Sequence, residues 1–374
     1  MFFRDIIGKE DIKHHLINTV TKGRIPHAQI FLGREGFGGL PLALAYASYI
    51  MCTNRGENDS CGNCPQCNKT HKYIHPDIHF AYPVVKHPSK NRAETTSVDF
   101  ISKWREIITI HPFLNTGEWL QHIGAENTAP NINVKECNDI LVKLNLTTYE
   151  SDYKVLVMWL PEYLGVEGNR LLKFIEEPTD YTYIIFVSEN QENILQTILS
   201  RCQLVKIPPF EDSEIMSMLQ SKFELTGDKA QQIAFLSDGN INLAMNIMRG
   251  EALDYSELIL DWMRAAYKSD PVMINDWISN ITTMTKDSQV TFLKYALHFF
   301  RQLVYRILTN SNEVQMTAKE LEAVDKMSAF LSVDKCRVII DLINEGLENI
   351  LRNVNVKIML FSDTLQIGKT IRKK

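Results

Sequence analysis

The densest concentration of reactive side chains is a run of cysteines. Cys52, Cys61, Cys64 and Cys67 fall within sixteen residues and account for four of the seven cysteines in the chain. Their spacing, Cys-x8-Cys-x2-Cys-x2-Cys, lies in a polar loop with Gly56, Gly62 and Pro65, which permit the turns that gather four sulfurs round one tetrahedral ion. Zn–S bonds of about 2.3 Å require that closeness, and four thiolates leave no open position, so the expected site is a structural zinc and not a catalytic one. Such an ion can fold an insertion too small to own a core. The alternative is a set of reduced, unpaired surface thiols. An odd cysteine total argues against a disulfide framework. His71 and His75, which follow, read as ordinary loop histidines.

The second chemical feature is a glycine loop, Gly33-Arg-Glu-Gly36-Phe-Gly38-Gly39-Leu40-Pro41, placed between an apolar run and a helical pattern. A working phosphate loop has the form G-x-x-x-x-G-K-[ST], in which the lysine neutralises phosphate and the hydroxyl holds Mg²⁺. Here Gly33 and Gly38 keep the glycine spacing, but Gly39 and Leu40 occupy the lysine and hydroxyl positions, and Pro41 lacks a donor N–H. Nucleotide hydrolases of this type also end a strand in acidic residues that hold Mg²⁺ and orient water. After Lys154-Val-Leu-Val-Met come Trp159 and Leu160 instead. Glu162, past a proline, reads as a solvated loop carboxylate. ATP is therefore not expected to be hydrolysed or tightly bound; on the glycines alone, the loop is equally a tight strand-to-helix turn.

The elements that must position these residues follow from periodicity. Ile12, Leu16, Ile17 and Val20 mark a helix, and His27–Leu32 a buried strand. Leu40–Met51 is helical, as are Val98–Thr109 and Ile132–Leu146. Lys154–Trp159 is a continuous apolar run, the pattern of a central parallel strand. Asn169–Glu177 is helical up to Pro178, Tyr183–Val187 is a strand, Ile194–Leu199 a short helix and Leu204–Ile207 a strand. Pro208-Pro209 punctuates a linker, beyond which only helices are expected. Strand, glycine loop and helix together form the phosphate-binding arrangement of α/β folds.

The chain has 374 residues, 45% hydrophobic and 23% charged, with a formal net charge of −5. That excludes disordered and collagenous classes and predicts two or three domains. It also excludes a global basic field that would recruit nucleic acid. Met-Phe-Phe-Arg-Asp at the start has no apolar core of a signal peptide. The uncharged stretch Gly36–Cys52 is shorter than the ~20 apolar residues that span a bilayer. No membrane partner and a cytoplasmic location are expected.

Several segments, taken in order, carry a resemblance. They are Phe3-x-x-Ile6-Ile7-Gly8, Lys22-Gly-Arg-Ile-Pro-His27-Ala28, the glycine loop, the four cysteines, His75-Pro76-Asp77, Leu171-Leu-Lys-Phe-Ile-Glu-Glu-Pro178 and Ile198-Leu-Ser200-Arg201-Cys202. Together they resemble the delta-prime family of the bacterial DNA polymerase III clamp loader, in the AAA+ class, over roughly residues 1–85 and 132–250. The resemblance implies an N-terminal α/β AAA+ domain with a RecA-like parallel sheet over 1–208, carrying a zinc module at 52–76. A small helical lid domain at 209–250 and an all-α collar for oligomerisation at 251–374 would follow. It implies a pentamer in which three gamma/tau-type ATPase subunits lie between delta and delta-prime and load a sliding clamp on primer-template DNA. Delta-prime does not hydrolyse ATP; the arginine of its Ser-Arg-Cys motif, here Arg201, faces a neighbour's ATP. By itself the triplet reads as a structural, ion-pairing arginine. Active relatives bring a lid arginine onto the nucleotide, and Asn242 stands in that place. An insertion at about 85–131 exceeds the family's usual connection, and its Phe100, Trp104, Phe113 and Trp119 are expected to form an extra core rather than a partner patch. The competing classes are an active AAA+ ATPase with an atypical loop and a zinc-dependent DNA-binding adaptor.

Overall fold

The computed structural model describes residues 1–126, 128–249, 255–284, 286–309, 318–352 and 354–373. The lid–collar boundary expected at 250/251, and a collar beginning near Leu253, lie outside those residues. By contacts the chain divides into two units, Met1–Met245 and Asn246–Lys374.

The first unit is built on five parallel strands: β1 (Ala28–Leu32), β2 (Ile78–Ala81), β3 (Lys154–Trp159), β4 (Thr182–Ser188) and β5 (Gln203–Lys206), in the order β2-β3-β4-β1-β5. A parallel sheet is covered on both faces, so its inner strands are apolar along their whole length rather than alternating. Every residue of β3 is buried. The strands expected at 27–32, 154–159, 183–187 and 204–207 are all present. β2 was not expected: it has only four residues, it lies at the sheet edge, and His79 interrupts its apolar pattern.

Helices α1 (Glu10–Thr21), α2 (Gly39–Met51) and α3 (Pro65–Thr70) precede β2. α2 starts directly from the glycine loop and is buried from Leu40 to Met51. Two helices of the insertion, α4 (Ile101–Ile110) and α5 (Thr116–His122), come before α6 (Val134–Asn145). Trp104 and Trp119 are fully buried, and Phe100 is buried beside them. Trp104 stacks on Tyr82 with centroids 4.1 Å apart, meets Trp119 edge-on at 5.4 Å, and lies 5.3 Å from Trp159 at the end of β3. The insertion is thus an added core, and its far side is fixed by Glu136 of α6. That carboxylate accepts from the amide of Ser97 at 2.5 Å and from its hydroxyl at 2.7 Å.

After β3 the chain winds through 3-10 turns at Pro161–Leu171 into α7 (Leu172–Glu176), and α8 (Gln196–Leu199) leads into β5. Helices α9 (Asp212–Phe223), α10 (Gly227–Ser237) and α11 (Ile241–Met248) follow. The second unit is helical throughout its described residues: α12 (Tyr255–Lys268), α13 (Pro271–Thr282), α14 (Lys286–Thr309), α15 (Ala318–Ser328), α16 (Val333–Leu351) and α17 (Val356–Arg372). Its core includes Trp262 stacked on Trp277 at 4.9 Å, with the Trp262 indole N–H donating to Thr364 at 2.8 Å. No helix among the described residues is long and apolar enough to cross a membrane.

Truncating a buried tryptophan removes its transfer free energy and leaves a cavity. Trp104→Ala should therefore cost about 3–5 kcal/mol of unfolding free energy, read in a denaturant titration. A loss below about 1 kcal/mol would mean that the insertion is not part of the core.

Candidate functional site

The four cysteine sulfurs lie within 4.8 Å of one another. Cys52 caps the end of α2 and Cys64 caps the start of α3, so two helix ends deliver two of the ligands. Backbone amides point at the sulfurs: Cys61 N–H at Cys52 (3.3 Å), Cys64 N–H at Cys61 (3.3 Å) and Cys67 N–H at Cys64 (3.4 Å). The Cys61 and Cys67 sulfurs are 3.9 Å apart, against the ~3.8 Å edge of a tetrahedron with 2.3 Å metal–sulfur bonds. Burial pushes the Cys52 and Cys67 thiols up. At Cys64 burial acts the same way, but hydrogen bonds from Cys67 and Thr53 outweigh it and bring the thiol down to about 6. A cation that compensates four thiolates fits this donor set, and the residues can hold a metal ion. His75 is occupied elsewhere, contacting Gln66 at 2.5 Å and accepting from the Asp77 amide at 3.1 Å. Asp77 in turn accepts from the amides of Tyr149, Glu150 and Ser151 at 2.6–3.0 Å. Asp59, inside the cysteine loop, accepts from the amides of Phe3 and Arg4 and so ties the chain start to the module.

The glycine loop leaves the carboxyl end of β1, where the Gly33 amide donates to Ser188 O at 3.0 Å. A Cβ at Gly39, the lysine position, would meet Val187 Cγ1 at 3.2 Å, so the start of α2 is pressed onto β4. Leu40 is buried. Gly36 has φ +73°, and a Cβ there would come 1.8 Å from the Asn240 side chain. The Gly36 carbonyl accepts from the Ile241 amide at 3.1 Å, which joins the loop to the α10–α11 turn.

Trp159 and Leu160 are both buried at the end of β3. Leu160 has φ 57°, a left-handed conformation that turns the chain back over the sheet edge. This return corrects the reading of Glu162 as a solvated loop carboxylate. Its Oε1 accepts from the Ser188 hydroxyl (2.7 Å) and from the amides of Glu189 (2.7 Å) and Asn190 (2.9 Å), ordering the end of β4. Asn242 is buried in a polar cluster: its Oδ1 accepts from His111 Nε2 at 2.8 Å, and its amide donates to Glu118 at 2.9 Å.

Arg201 stands at the other edge of the sheet. The register pairs Gln203 with Gln29 and Lys206 with Leu32. Arg201 thus precedes the amino end of β5, while Gly33 follows the carboxyl end of β1. The three steps from Gln203 to Lys206 alone span ~10 Å, so Arg201 is turned away from its own chain's glycine loop. Its Nε and Nη2 both reach Glu176 Oε1 at 2.5 Å, and Nη1 donates to Thr197 O at 3.0 Å and Ser200 Oγ at 3.3 Å. The Arg201 side chain remains 35% exposed although all three guanidinium nitrogens have partners in its own chain. Glu176, from the Leu-Leu-Lys-Phe-Ile-Glu-Glu-Pro run, was not recognised in the sequence as its partner. The signal was present only in that both runs belong to one resemblance. Cys202 packs at the core of the first unit.

A family profile described as "DNA polymerase III, delta subunit" matches residues 8–211. DNA polymerase III subunit delta' of Bacillus subtilis is 23% identical over 237 residues, which cover 63% of this chain and 58% of that one. DNA polymerase III subunit gamma of Buchnera aphidicola is 24% identical over 253 residues, covering 66% of this chain and 58% of that one. The Escherichia coli subunit delta' is 22% identical over 275 residues, covering 73% and 68%. The chain thus spans well under two thirds of the length of the first two relatives.

If an ion joins the four sulfurs, its removal under reducing conditions takes away the one link common to Cys52, Cys61, Cys64 and Cys67. Chelation, or Cys64→Ser, should lower the melting temperature of the full chain by roughly 5–10 °C and open the cysteine loop to protease. An unchanged melting curve after metal analysis shows complete removal would count against a structural ion.

Proposed function

The chain belongs to the DNA polymerase III delta-prime subunit family, and from that premise we propose that it is a non-hydrolysing clamp-loader subunit. It assembles with gamma/tau-type ATPase subunits and delta, and through them serves the sliding clamp and primer-template DNA. Residues 1–208 act as its AAA+ domain, 209–250 as a lid and 251–374 as the collar, with one structural zinc on Cys52, Cys61, Cys64 and Cys67.

The observation that supports this reading best is the separation of two half-sites. At the carboxyl edge of the sheet the glycine loop has Gly39 and Leu40, and the end of β3 has Trp159 and Leu160, where charge and metal ligands are needed. At the opposite edge Arg201 is half-exposed, with no phosphate loop of its own chain beside it. A guanidinium supplied in trans stabilises charge on a transferring phosphoryl group, and its planar fork suits that task better than an ammonium. Glu176 holds the fork in place by its Nε side, which makes it a positioning residue. The adaptor reading has less support: near the cysteines Lys69 pairs with Glu150, and Arg55 donates to the carbonyls of Tyr49 and Ile50.

In a complex reconstituted with the active ATPase subunits, Arg201→Ala should leave assembly intact and lower clamp-stimulated ATP hydrolysis. The loss at one site can reach ~10³–10⁵, although steady-state turnover falls only in part if the other sites are independent. Arg201→Lys should not restore it. A wild-type rate in the verified complex would return Arg201 to a purely structural ion pair. The isolated chain should release no phosphate with Mg²⁺; turnover that follows the chain through stringent purification would instead support an active ATPase.

A further inference from the structure

The insertion does more than enlarge the core. From the end of α4 into the first turn of α5 it sends a short segment, residues 111–118, across to two elements remote in sequence. Asn115 Nδ2 donates to Glu35 of the glycine loop at 3.0 Å. His111 Nε2 donates to Asn242 Oδ1 at 2.8 Å, and Asn242 Nδ2 donates to Glu118 at 2.9 Å, with Glu35 at 3.4 Å. Asn115 and Glu118 are held in place by a reciprocal capping box, Glu118 N–H to Asn115 Oδ1 at 2.8 Å and Asn115 N–H to Glu118 Oε2 at 2.9 Å. Phe113 lies 6.1 Å from Phe210, and both rings come within 3.4 Å of the Cβ position of Gly38.

We infer that residues 111–118 form a built-in strap that closes the glycine loop and fixes the α10–α11 turn against it. The inference rests on reading Gly33–Gly39 as a former phosphate loop. Three effects act together. The rings of Phe113 and Phe210 cover Gly38, where loop amides would converge on a phosphate. The carboxylates of Glu35 and Glu118 both accept from Asn242 beside the loop, and like charge repels an anion at such range. Direct bonds from the strap to both Glu35 and Asn242 join the loop to α11, supplementing the Ile241–Gly36 hydrogen bond. The α10–α11 turn is therefore held against the loop without any nucleotide, and a phosphate ligand would first have to displace the strap.

Asn115→Asp tests this with little risk to the fold, because aspartate is as good a helix cap as asparagine. It keeps the Oδ1 acceptor but turns the donor facing Glu35 into a carboxylate. Hydrogen–deuterium exchange on the full chain should show the amides of 33–39 and 239–243 exchanging about tenfold faster, the scale of losing a hydrogen bond to a charged group. The sheet and the cysteine module should not change. Adding Glu35→Gln to Asn115→Asp should restore most of the protection, since the glutamine amide removes the repulsion and supplies the donor that the new carboxylate accepts from. No change in Asn115→Asp, or no recovery in the double variant, would overturn the strap. Should Asn115→Asp fail to fold, the wild-type protein still decides: the Ile241 amide should exchange as slowly as the helix interiors of α9 and α10, and loop-like exchange there would overturn the proposal. Adding MgATP separates the two readings. Protection of 33–39 in wild type would overturn closure by the strap. Protection seen only in Asn115→Asp would support the strap and contradict the reading of the loop as unable to take nucleotide.

Discussion

The contact between Trp159 and Trp104 organises the carboxyl edge of the sheet. A parallel sheet ends, on this side, in strand termini and a glycine loop, a place where α/β folds gather ligands. In this chain the last residue of β3 is an indole, and an indole at a strand end needs an apolar cover. The insertion supplies it through Trp104, which packs in turn on Tyr82 and on Trp119. Once that cover is in place, α4 and α5 are fixed, and the segment between them is delivered to Glu35 and Asn242. The apolar strand end at Trp159 and Leu160 thus draws the insertion to a place beside the glycine loop.

The remaining chemistry is distributed away from that edge. The cysteine module grows from the far end of α2, joined to the chain start by Asp59 and followed by Asp77, which gathers three amides of the loop before β3. Arg201 and Glu176 stand at the amino edge of β5. This layout fits the proposed division of labour, in which the guanidinium of Arg201 and not the chain's own glycine loop meets a nucleotide.

Much of this was legible in the residues. Continuous apolar runs marked β1, β3 and β4 because strands buried on both faces have no polar alternation to hide. The cysteine spacing announced a four-sulfur cluster because a tetrahedral ion restricts the turns between ligands. What escaped was non-local. β2 is four residues long and contains His79, too little for a period to register. Glu162 seemed idle because its partners, Ser188 to Asn190, reach it only after β4 is laid beside β3. The strap was hidden most deeply, since it joins Glu35 to Asn242 across 207 positions and Glu118 to Asn242 across 124. Phe100, Trp104 and Trp119 form core as expected, whereas Phe113 is half-buried against Phe210; aromatic content alone says nothing about the polar tip beside it.

One measurement bears on the central claim, that nucleotide chemistry reaches this chain only from a neighbour. A photoreactive ATP analogue can be activated in the complex assembled with active ATPase subunits, and the labelled peptides identified by mass spectrometry. The account predicts label on the partner's phosphate loop and on this chain's segment 196–206, around Arg201. Label concentrated on residues 33–40 of this chain, with none near Arg201, would contradict it.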